Sequence, residues 1–386
     1  MLATVFFARL STGIQFQSIA AVAPVMVPDL HLSFAQLGWL IGLFSLPGIV
    51  VAFPGGAAGQ RLGERWAAMV GLSLMTIGAV VIALAPTFLM AMVGRIMSGI
   101  GGIIVNLAFS KMIAGWFAGK EMATAMGVML TAWPVGMGLA LLTLGSLAET
   151  HSWRIGIGAS ALAAVVALVS IVAIYRDPAR PADATSDLTT ARSSRLSRAE
   201  LTAAVMAGLA WTALNASLFV FVSFAPGVLV VAGYSVARAG LIVSIALWMT
   251  LVSMPVGGYL ADRTKRNDQM VAGGAIAMAA CMIAFIWLPA PAVWCLIGGI
   301  VVGAAPGPAM SLLPRAVSQE RLSSALGVYY SVFYAGAAIL QPLAGFFLDL
   351  SGWPAAPILV AAVVMAATVV PLMAFRAMSP RLLRGQ

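Results

Sequence analysis

Twelve stretches long and apolar enough to cross a bilayer follow one another through this chain of 386 residues. They fall near 3–27, 36–59, 66–86, 88–110, 122–147, 153–175, 201–231, 236–260, 268–288, 291–313, 323–348 and 353–376, and a helix needs about 20 such residues to span the hydrocarbon. Inside a bilayer every backbone N–H and C=O must find its partner in the chain itself, which leaves only helices and closed barrels. No strand-like alternation competes with the apolar runs. The sequence therefore predicts an all-α polytopic membrane protein. Its charged fraction of 9% and mean hydropathy of +1.03 lie far from soluble domains, in which about 25% of residues are charged.

The positions of the basic residues predict an orientation. With both termini on the cytoplasmic side, 17 of the 21 Lys and Arg residues fall in inner loops and tails. Arg154 and Arg238 fall outside, and Arg9 and Arg95 lie within predicted helices. That asymmetry satisfies the positive-inside rule and predicts a multi-pass inner (plasma) membrane protein. It also accounts for the pI near 10.3 as topology, with no nucleic-acid partner. The first helix lacks a basic region ahead of its apolar run and reads as retained, not as a signal peptide.

The chain also repeats itself. At an offset of 200, Ala125, Gly127, Gly136, Gly145, Glu149 and Trp153 meet Ala325, Gly327, Gly336, Gly345, Asp349 and Trp353. At an offset of 202, Ala23 and Pro24 meet Ala225 and Pro226, and Ser33, Ala35 and Gly38 meet Ser235, Ala237 and Gly240. The domains expected are a six-helix half over 1–175, a polar cytoplasmic linker rich in Pro, Asp, Ser, Thr and Arg over 176–200, and a second six-helix half over 201–386. Two similar halves in a membrane commonly enclose a substrate path, because rocking one against the other exposes a central site to each side in turn.

Twelve helices in two halves resemble the major facilitator superfamily, and loop motifs carry the likeness further. The family's G-x-x-x-D-R-x-G-R/K pattern is similar to Gly258 through Arg266, with Asp262 and Arg263, and to Gly56 through Arg65, where Gln60 stands in place of the Asp beside Arg61. The resemblance implies that Asp262 and Arg263 latch cytoplasmic helix ends together, with Gln60 and Arg61 as an altered first copy. Arg95, Gly99 and Gly101 resemble the family's R-x-x-x-G-x-G pattern in the fourth helix. An intramembrane Arg must pair, snorkel or reach a cavity. Arg95 thus has two readings, bonding to neighbouring carbonyls or a part in gating. Within the superfamily the chain loosely resembles the cyanate and nitroimidazole porters, on Arg9 and Pro24, the Leu46–Pro47–Gly48 break, and Lys111 through Glu121 leaving the fourth helix.

Polar residues on one helical face at mid-depth point toward a cavity. Arg9, Gly13, Gln17, Ala20 and Pro24 share one face of the first helix. Arg9 is either a solute contact or a snorkelling cation, since it lies about 9 Å from the predicted helix end at 1.5 Å per residue. The seventh helix offers Trp211 and Asn215, the fourth Asn106, and the eleventh Tyr330, Tyr334 and Gln341 on one face. All twelve acidic residues fall in predicted loops or at helix ends. With arginines present and no mid-membrane carboxylate, a small anionic cargo is favoured over a cation.

The chain shows no Ser/His/Asp set, metal cluster or phosphate loop, so neither an enzyme nor a cofactor is expected. Cys281 and Cys295 read as packing residues. The reading is a monomeric secondary active transporter of a small anionic solute, working by alternating access in the lipid bilayer, with a proton or ion as coupling partner. Alternatives are an exporter of uncharged or amphipathic compounds, which the 22 Met and 33 aromatic residues would suit, and a non-transporting sensor or scaffold.

Overall fold

The computed structural model describes residues 1–51, 63–117, 122–176 and 196–383. These residues form helices and short connections. In chain order the helices are α1 (Leu2–Asp29), α2 (Phe34–Gly42, with a further turn at Gly48–Val51), α3 (Glu64–Ala83), α4 (Phe88–Phe117), α5 (Met122–Thr150) and α6 (Trp153–Ile174). There follow α7 (Arg198–Val231), α8 (Val236–Thr264), α9 (Asn267–Trp287), α10 (Pro291–Val302, continued at Pro306–Met310), α11 (Gln319–Ser351) and α12 (Ala356–Ala366, continued at Val369–Leu383). Among the described residues, eleven of them are long and apolar enough to cross a membrane. The second predicted span begins as a helix at Phe34 but is interrupted between Gly42 and Gly48. Pro47 explains part of this, because a ring nitrogen cannot donate to the ladder.

Helix starts follow a common chemistry. Ser33, Ser152, Ser197 and Ser235 each accept a hydrogen bond from a backbone N–H of the first turn of α2, α6, α7 and α8, supplying partners that helix N-termini otherwise lack. Ser197 and Glu200 form a full capping box, so α7 begins at Arg198. The linker expected over 176–200 overlaps this helix start, and its residues 177–195 lie outside the described ones.

Within the first six helices α1 packs on α5, and α3 on α4 and α6; within the last six α7 packs on α11 and α12, and α10 on α8 and α9. Small residues allow backbones to approach. A methyl placed on Gly13 of α1 or Gly136 of α5 would run into the Trp133 or Leu10 carbonyl of the other helix. Between the two sets of six, α2 packs on α11, α5 on α8, and α1 on α7. The start of α1 lies with the ends of α4 and α6 and the last part of α12 with the start of α9, at one end of this bundle, here called the terminal end. The loops after α1, α3, α5, α7, α9 and α11 lie at the other, distal end.

Candidate functional site

The site is built outward from Arg9. This residue sits two turns into α1 and is 94% shielded. Its Nη1 donates to Oδ1 of Asn106 on α4 at 2.6 Å. Its Nε is buried and has no partner among the described residues. Tyr334 of α11 lies close to both. Two neutral groups, one from each half of the chain, thus lie beside a buried cation to which no carboxylate among the described residues is bonded.

Aromatic rings extend the site across α7 and α11. The Tyr330 and Tyr334 centroids are 6.5 Å apart, Phe333 and Tyr334 5.2 Å, and Trp211 stands 6.4 Å from Phe333 and 6.3 Å from Tyr329. Trp211, Asn215, Asn106, Tyr330 and Tyr334 are half-buried, so each keeps part of its surface outside the packed core. Asn215 donates from Nδ2 to the Trp211 carbonyl one turn back in its own helix at 3.0 Å, which leaves its side-chain oxygen to other partners.

A second layer closes the site on its distal side. Phe16 lies seven residues beyond Arg9, about 10 Å along the helix. Its ring meets Phe44 at 5.5 Å, Trp133 of α5 at 5.2 Å and Phe219 of α7 at 4.8 Å, and Phe219 continues to Phe333 at 6.5 Å. Five helices or their ends thus contribute one continuous ring partition. Just beyond it the fully buried Gln17 donates from Nε2 to the Val222 carbonyl of α7 at 3.0 Å.

Arg95 supports this layer from behind. It is wholly buried, and its guanidinium donates Nε to the Leu40 carbonyl at 2.8 Å, Nη1 to Gln15 at 2.7 Å and Nη2 to Phe16 at 2.7 Å. The same group stands 4.8 Å from the centre of the Phe44 ring, close enough for a cation–π contact. One side chain on α4 therefore ties α1 and α2 together where the ring partition begins.

The structure brings Arg9, Asn106 and Tyr334 together, with Tyr330 and Trp211 linked to them through ring contacts. It places Gln17 in the seam between α1 and α7, and Gln341, which is buried, on α11 against Gly38 of α2. Asp262 and Arg263 are exposed at the terminal end of α8. Arg263 is bonded to the Tyr259 hydroxyl at 3.2 Å, and no ion pair to Asp262 occurs among the described residues. Gln60 and Arg61 lie outside the described residues. Phe16, Phe44 and Phe219 escaped sequence reasoning because an aromatic in an apolar helix carries no signal of the face it occupies. No group of three His, Cys, Asp or Glu among the described residues could hold a metal ion.

Comparison with known proteins agrees with this architecture. The chain is 21% identical over 383 residues to the Hexuronate transporter of Bacillus subtilis (strain 168), covering 90% of this chain and 87% of that one. It is 26% identical over 365 residues to the human Lysosomal dipeptide transporter MFSD1, covering 88% and 77%. Among solved structures, the D-xylose-proton symporter superposes with a TM-score of 0.77 at 17% identity, covering 97% of each chain. A bacterial homologue of the human lysosomal transporter Spinster, inward-facing and occupied, gives 0.70 at 18% identity, covering 99% and 96%. The family model described as Major Facilitator Superfamily matches residues 5–313 and 233–384. The chain is therefore a multi-pass membrane transporter for a small-molecule solute, not an enzyme, and belongs to the Major Facilitator Superfamily.

Proposed function

We propose that this protein is a secondary active transporter of a small organic monoanion whose body is apolar or ring-shaped. The observation that carries the reading is Arg9, a buried cation with a neutral amide as hydrogen-bond partner and a buried Nε that has no partner among the described residues. An unpaired charge in a low-dielectric site is costly. A carboxylate that takes Nε together with a terminal nitrogen would meet that charge through a bidentate fork. Trp211, Tyr330, Phe333 and Tyr334 then supply apolar faces for the rest of the solute. The Hexuronate transporter relative supports an anionic cargo class, and the ring-rich wall argues for a less hydroxylated body than a sugar acid.

In this proposal halves 1–175 and 201–386 rock about the site, with both termini cytoplasmic in the inner (plasma) membrane. The terminal end is then the cytoplasmic end. The protein acts as a monomer, and a proton or ion is its coupling partner. A thermal-shift screen of the purified protein tests the cargo. Aromatic and short aliphatic monocarboxylates should raise the unfolding temperature, because a solute that binds the folded state stabilises it, while hexuronates do so less and cationic drugs not at all. Stabilisation by uncharged or cationic lipophiles and by no carboxylate would replace this reading with the exporter of amphipathic compounds, which the same ring wall would also suit.

A further inference from the structure

We infer that Glu149 and Asp349 are paired latches that hold the distal end of the transporter closed, each gripping the first helical turn of the opposite half. Asp349, at the distal end of α11, accepts the Phe34 N–H on Oδ1 and the Ala35 N–H on Oδ2, both at 2.8 Å. Glu149, at the distal end of α5, accepts the Val236 N–H on Oε1 at 3.3 Å and the Ala237 N–H on Oε2 at 3.2 Å. These four donors belong to the first turns of α2 and α8, where backbone N–H groups have no helical partner and the helix dipole favours a negative charge. Ser33 and Ser235 cap the next N–H groups from within each helix. Each carboxylate therefore completes a helix start that its own chain segment leaves unfinished.

The repeat in the sequence is the repeat of this contact. Glu149 and Asp349 are separated by 200 residues, while the turns they grip, Phe34–Ala35 and Val236–Ala237, are separated by 202. Beneath each latch a glycine lets backbones touch. A Cβ on Gly38 would collide with the Gln341 carbonyl and one on Gly240 with the Leu141 carbonyl, again partners 200 residues apart. One contact geometry is thus used twice, at related positions of the two halves.

The consequence is conformational. None of these contacts lies within a half, so their loss removes support from the distally closed state and leaves each half intact. A ligand-independent grip of this kind sets how often the distal end opens. The inference rests on the proposal that the halves rock, but not on the identity of the solute.

The test uses the full chain with Cys281 and Cys295 replaced by Ala and Val222→Cys introduced, since Val222 is fully buried where α7 meets α1. A membrane-impermeant maleimide added to intact spheroplasts labels this cysteine only when the distal end opens, so the rate reports the open fraction. Loss of a charged cap shifts a helix-end equilibrium by roughly two- to thirtyfold, and Glu149→Ala with Asp349→Ala together should raise the rate by at least about fivefold. Glu149→Gln with Asp349→Asn keeps one acceptor oxygen per site and should give a smaller rise, which covers the case in which the alanine pair does not fold. Gly38→Ala with Gly240→Ala should also raise it, because the added methyls collide only in the closed state. If the glycine pair labels faster while both carboxylate pairs label at the parent rate, rocking stands and the latch is overturned. If no variant labels faster, the rocking proposal and the latch fall together.

Discussion

Replacing Arg95 by Lys should cost more stability than replacing it by Met. The guanidinium makes three bonds to carbonyls of α1 and α2 in three directions, and hydrogen bonds to charged groups contribute about 1.5–3 kcal/mol each. Their gross contribution is then roughly 4–9 kcal/mol. It is opposed by the cost of burying the charge, several kcal/mol per ion even after relaxation. Arg95→Met loses the bonds and recovers the desolvation, for a net loss of about 2–4 kcal/mol. Arg95→Lys keeps the buried charge, but a compact ammonium cannot reach the three carbonyls that the planar fork spans. It should lose about 1–3 kcal/mol more than Met. Reversible unfolding in detergent, followed by circular dichroism with the transition slope held common, measures both. Equal stabilities, or Lys above Met, would refute the fork and show that Arg95 acts through its charge, as a gating residue would.

Three further outcomes follow from named contacts. Asn106→Leu removes the amide that accepts from Arg9; it should weaken solute-induced stabilisation about tenfold, in line with the loss of one charge-assisted bond, while changing expression little. Ser197→Ala should cost about 0.5–2 kcal/mol of stability through the lost cap of α7, measured by the same unfolding assay. Glu200→Ala should cost more than Ser197→Ala, because it removes the reciprocal half of the box and also the 3.0 Å ion pair to Arg321; equal losses would show that the pair contributes nothing.

Much of the architecture was legible because lipid leaves few alternatives. Length and apolarity located the helices, and two offsets revealed the duplication. The interruption of α2 was also visible, at Leu46–Pro47–Gly48. The role of Arg95 was not, since its partners are backbone carbonyls of Gln15, Phe16 and Leu40, and a carbonyl has no sequence identity. Gln17 shares the Arg9 face, yet it lies two turns further along and meets α7 in a buried seam, a distinction that depends on how closely the halves approach. Glu149 and Asp349 stood out as repeated residues, but their partners are N–H groups more than 80 residues away. The start of α7 was readable in principle, because Ser197 and Glu200 have capping-box spacing; a polar segment rich in Pro and Ser drew the boundary past it.

The central claim is that Arg9 supplies the counter-charge for a transported anion, and charge movement tests it most directly. Proteoliposomes adsorbed on a solid-supported membrane should give a transient current when the best-stabilising monocarboxylate from the thermal-shift screen is added to the wild-type protein. Arg9→Gln should abolish that current in protein that still folds and reconstitutes, and Arg9→Lys should restore only part of it, since the bidentate fork is lost. A wild-type-sized current from Arg9→Gln would contradict the account and leave Arg9 as a buried structural cation.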